Sequence, residues 1–213
     1  MNLCTCPAAA ALTTIPPAGC PESFGQIQKI AFQRLRKADG TKNSFTSQNS
    51  ILLKASWTAL MAASDGTKIV LSPYVQAPTN EAGSPRTFGG GNETLGGVEM
   101  VIGREPSTFS AVIRSVQQSV IKAMKDLQCE AQADNLGVYL IDENGAVECV
   151  KDESAANTFY PIPIRSLFVG DKSHGGLEAP DSNAIQFAFL PNYSDNLSIQ
   201  VPTDFNPLTD LNV

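Results

Sequence analysis

The chain has 213 residues and a mass of 22.6 kDa, the size of one domain or two small ones. Apolar residues make up 42% and charged residues 17%, with 16 Gly and 14 Pro, which excludes a collagen-like chain or a disordered Pro/Gly tract; no apolar run approaches the ~18 residues of a membrane span. The net charge of −6 is uneven, with seven bases against three acids in residues 1–75 and eight against eighteen in 76–213, and the one basic cluster (Arg34, Arg36, Lys37) is too small to mark a nucleic-acid binder.

Residues 1–22 contain Pro7, Pro16, Pro17, Gly19 and Pro21 and predict an irregular amino-terminal arm. The arm lacks a basic stretch followed by a long apolar one, so no export signal is expected. Three of the five cysteines, Cys4, Cys6 and Cys20, fall here. A Cys-x-Cys pair with one further Cys and a single His in the chain, His174, is a poor match to zinc-site spacing. Reduced thiols are the expectation, and the odd count argues against a secreted disulfide scaffold.

Residues 25–37 (GQIQKIAFQRLRK) predict a first strand with Ile30, Phe32 and Arg34 on one parity. DGTKNS then turns the chain. Residues 47–63 predict a helix, with Leu53, Trp57, Leu60 and Met61 at 3–4 spacing and Ser or Asn as N-cap. Residues 67–75 predict a strand, and 76–97 a long Gly-rich loop containing Gly89-Gly90-Gly91 and Gly96-Gly97. Residues 98–103 predict another strand. From Ser107 to Leu127, Phe109, Val112, Ile113, Val116, Val120, Ile121, Met124 and Leu127 fall at helical spacing, predicting a long helix with Val116 on the buried face and Gln117 opposite.

Residues 136–150 predict a hairpin, with Asn144-Gly145 suited to a type I′ turn. Residues 158–169 are extended, although Pro161 and Pro163 deny them a central, fully paired position. A polar loop spans 171–182, and Ile185, Phe187 and Phe189 share one face of a strand at 184–190. The tail predicts a short strand and then irregular chain. About eight strands and two helices in mixed order predict an α+β, mainly β fold: an antiparallel β-sandwich or barrel with one long flanking helix and one shorter helix. The organisation is an arm (1–22), one β-rich domain (23–205) and a carboxy-terminal tail (206–213).

The sequence offers little for catalysis, and no catalytic, cofactor-binding or metal residue is assigned. GGGNETLGG lacks the Lys-Ser/Thr ending of a P-loop. With His174 as the only imidazole, a Ser-His or Cys-His pair has one candidate base, in a polar loop. Asp142-Glu143 and Asp152-Glu153 are expected as solvated turn residues. Asp142-x-Asn144-Gly145 lacks the remaining ligands of a calcium loop. Asn92, Asn192 and Asn196 match glycosylation acceptors only by short pattern.

Extended arms and long loops with little to pack on in one copy make sense when they dock on neighbours. The order of elements, in particular the loop 76–97, the helix 107–127, the hairpin 136–150 and the strand 184–190, resembles that of tailed-bacteriophage tail-tube proteins. CPESFGQIQKIAFQRL and FLPNYSDNLSIQVPTDFNPL also resemble segments of structural proteins from phages of gut Bacteroidetes. The resemblance implies a non-enzymatic virion protein without cofactors, assembled in the bacterial cytoplasm. Six copies would form a ring, and rings would stack into a tail tube contacting other tail or connector proteins. DNA would pass without specific binding, and no membrane is involved. The alternatives are a phage head decoration or head-to-tail connector protein, or a non-viral β-sandwich binding module.

Overall fold

The computed structural model describes residues 14–17, 19 and 23–211. Its centre is set by two antiparallel strands, β1 (Ile27–Arg34) and β7 (Leu136–Asp142), paired with Phe32 opposite Val138 and Ala31 opposite Tyr139. Strand side chains alternate between faces. Ile30, Phe32, Val138 and Leu140 therefore enter one core, while Ala31, Tyr139 and Ile141 enter a second. All seven residues of β7 are buried, because both faces of this sheet are covered.

The first core lies between two sheet layers. β1 and β7 belong to one layer, with β2 (Ile69–Leu71) beyond β1, and β8 (Val147–Lys151), β9 (Phe159–Tyr160) and β12 (Leu197–Gln200) beyond β7. The facing layer runs β10 (Ile162–Val169), β11 (Ser182–Phe189), β6 (Thr108–Arg114), β3 (Gln76–Glu81). β10 joins the layers. Ile162 and Pro163 pair with Val138 and Gly137, and the strand then turns onto β11, with a register shift around Ser166 at φ +55°. The prolines are compatible with this junction because only two residues are shared with β7. The sandwich is not closed into a barrel: β12 and β3 end the path.

The second core sits under a third layer. α1 (Lys54–Ala62) brings Trp57 onto Phe45 and Tyr139, with ring centroids 4.9 and 5.5 Å away. The Trp57 indole N–H donates to Ile51 O at 2.8 Å. α3 (Pro207–Asp210) adds Leu208, beside Phe205 and Leu211. Polar side chains of β1 facing this core are satisfied. Lys29 Nζ donates to Leu208 O at 3.1 Å, and Gln33 donates to Thr67 O while accepting from the Tyr139 hydroxyl.

Several expectations need correction. The helix expected over 107–127 begins at α2 (Gln118–Gln132); Thr108–Arg114 is strand β6. Phe109, Ala111 and Ile113 are buried at period two, and Ser115 at φ +54° interrupts the backbone between the elements. The β-branched Val112 and Ile113 favour the extended form. Val116 lies in the connection, half-buried, and Gln117 is the N-cap. The helix expected over 47–63 is shorter, and no side chain caps it; Leu53 is its N-cap. The loop 76–97 carries β3 and β4 (Pro85–Phe88). The strand expected at 98–103 is β5 (Met100–Arg104). The irregular tail contains α3, whose apolar side chains complete the second core. Most of the arm 1–22, with Cys4, Cys6 and Cys20, lies outside the described residues.

Candidate self-association surface

The segment between β3 and β6 leaves the sandwich as its own two-stranded hairpin. β3 pairs with β6 as far as Glu81 opposite Thr108. The base is then fixed by Glu105 N–H donating to Ser84 O at 2.8 Å and Gly83 N–H to the Ser107 hydroxyl at 3.2 Å. Arg104 reaches the side-chain oxygen of Asn192. Beyond this base β4 and β5 pair only with each other.

The tip is ordered around Thr94. Its hydroxyl accepts from Gly90 N–H at 3.1 Å and donates to Val98 O at 2.8 Å, and its carbonyl accepts from Gly97 N–H at 3.0 Å. Gly89 sits at φ +92°, and a Cβ there would lie 2.0 Å from Thr94 Cγ2, so the glycine is required by space as well as by backbone.

What the hairpin presents is apolar. Of the twelve exposed large apolar residues among the described residues, Phe88, Leu95, Val98, Met100, Val101 and Ile102 belong to it. Leu95 is fully exposed, and successive residues Met100, Val101 and Ile102 are each about half exposed. Both faces of β5 are therefore bare. Consecutive apolar residues in a strand are the pattern of burial on both faces, and contiguous apolar surface marks an interaction site. The sequence signal, VEMVI after a Gly-rich stretch, was legible as a strand but not as an exposed one.

The acidic pairs have local roles. Asp142 is buried and accepts backbone N–H groups of Gly25, Asn144 and Ala146 at 2.7–3.1 Å, which fixes the turn it opens. Asp152 accepts from the Ser154 hydroxyl and N–H and from the Tyr160 hydroxyl, and these bonds hold its carboxyl at about 2. His174 is exposed, 3.2 Å from Asp181. Arg34 pairs with Glu130 of its own copy. Cys129 is exposed on α2; Cys149 is buried in β8, where burial pushes its thiol upward.

Among the described residues, no cluster of three or more His, Cys, Asp or Glu side chains is positioned to hold a metal. No helix there is long and apolar enough to cross a membrane. Comparison with protein-family models, with curated proteins and with solved structures finds no match.

Proposed function

We propose that the protein is a structural subunit that self-associates through the β4–β5 hairpin, and that it builds a phage tail tube from stacked six-membered rings. The observation that carries self-association is the hairpin, which places six large apolar side chains beyond the sandwich. A strand bare on both faces loses apolar surface to a partner at roughly 25 cal/mol per Å². The tube itself rests on the resemblance of element order, and its acidic net charge of −6 suits a channel through which phosphate slides without sticking. Trp57 and Tyr139 are buried in the second core, so neither is available to stack on a sugar in a carbohydrate-binding module.

Negative-stain electron microscopy of the purified protein tests this. Stacked rings or tubes are the expected result, and Val101→Asp is expected to leave folded monomers. Single rings that never stack would favour a connector. A monodisperse monomer at high concentration would overturn the proposal.

A further inference from the structure

β2 has a strand on one side only. Ser72 N–H bonds Ile30 O at 2.8 Å, so by antiparallel alternation Leu71 and Ile69 turn their N–H and C=O groups away from β1; Ile69 is buried, so the partly buried Leu71 is the residue of the two with an edge to offer. Along that free edge runs a groove of about 510 Å³. Val120 and Ala123 of α2 form one wall; Met61 of α1 and Leu211 form the other. A second cavity of about 210 Å³ adjoins it, sharing Lys68 and Val70. No described segment of the same copy fills the groove by strand pairing.

Resting on the self-association proposed above, we infer that the groove beside β2 receives β5 of a second copy. The match is one of pattern and charge. The groove has apolar walls on both sides of a strand edge, and β5 is apolar on both faces with an edge that β4 leaves unpaired. The run Val98–Val101 precedes the register shift near Ile102, and its last two residues, Met100 and Val101, belong to β5 and supply the paired stretch that lies against β2. Lys68, exposed at the groove, suits Glu99, exposed within that run. Backbone pairing would supply attraction, and the alternating side chains Met100 and Val101 would enter the two walls. Hairpin and groove are unlike surfaces, so the contact repeats head to tail and gives rings when the rotation closes.

Two variants test it. Ala123→Arg fills the groove from an exposed helical site, where Arg is a good helix former. Val101→Asp disables the hairpin. Each variant alone is expected to melt like the parent protein and to sediment as a monomer. Mixed in equal amounts, they are expected to form a 1:1 dimer that grows no further, because only one intact hairpin and one intact groove remain. Ala123→Arg assembling like the parent, or a mixture that stays monomeric, would overturn the groove as receiver while the parent's assembly still stands. A parent that is itself monomeric would overturn both readings. A benzophenone side chain at position 101 is expected to crosslink to residues 68–74 or to α2 of another copy. Crosslinks to the amino-terminal arm or to the outer face of β6 and β11 would replace the groove with another receiver.

Discussion

Phe109 and Phe187 stack across the β6–β11 pair, their centroids 4.7 Å apart and their planes 20° from parallel. Phe187 in turn meets Phe189 edge-on at 5.3 Å. This ladder places alternate residues of 108–114 inward and fixes the segment as a strand. Phe109→Ala is expected to cost about 3–5 kcal/mol. Ser110→Ala, one residue along and facing outward, is expected to stay within about 0.5 kcal/mol. Urea unfolding measures both; equal losses would contradict the strand assignment.

The same segment shows where the sequence was ambiguous. Phe109, Ile113, Val116 and Val120 fit a helical stripe, while Phe109, Ala111 and Ile113 fit a strand. Periodicity in so short a window does not choose between them. The choice comes from tertiary pairing with β11 and β3, which only the folded chain supplies. β1, β7, β8 and β11 were legible because their apolar alternation is long or their turn signal strong. The third layer was not. Phe205, Leu208 and Leu211 are spaced through a Pro- and Asn-containing tail, and nothing local shows that they cover Tyr139 and Ile141. The hairpin was legible in part: Gly residues and VEMVI marked a loop and a strand, but exposure is a property of the assembled fold.

The Asn144-Gly145 turn is a different kind from the one its sequence suggests. Gly145 N–H bonds Asp142 O, and Asp142 N–H bonds Ala146 O, closing a three-residue loop. Only Gly145 of the pair has positive φ, at +83°, which fits a type I turn followed by a bulge residue. A Cβ on Gly145 would also lie 2.4 Å from Oδ1 of Asn206, the oxygen that accepts from Leu208 N–H to cap α3. Gly145→Ala therefore strains the turn and displaces the cap. We expect a loss of about 1–3 kcal/mol, against about 0.5 kcal/mol or less for the exposed Asn144→Ala. Thermal melts of the two variants check the difference.

Trp57 gives a direct probe of the tail. It is fully buried, tilted against Phe45 and edge-on to Tyr139 in the core that α3 completes. Leu208→Ala and Leu211→Ala are each expected to cost about 2–5 kcal/mol, the range for truncating a buried leucine. The only Trp in the chain reports the loss by fluorescence. Unfolding midpoints unchanged in both variants would show that the tail is not part of the core.

Glu148 sits on β8, opposite Leu140 on one side and Ile199 on the other, and burial raises its carboxyl above the usual range. Among the described residues, no ion pair or side-chain hydrogen bond holds its ionised form, so desolvation goes uncompensated. Near pH 3 the carboxyl is protonated in both folded and unfolded chains, and its burial carries no charge penalty. As pH rises, the unfolded chain ionises first, around an ordinary value of ~4.3. The folded chain ionises only at its raised value. Stability contributed by the neutral form is therefore lost as pH climbs through that window, and the loss is complete above it. Glu148→Gln removes the titration. It is expected to melt higher than the parent at pH 7 and to approach the parent's melting temperature at pH 3. A variant that melts lower than the parent at pH 7 would mean that the carboxylate has a stabilising partner in solution.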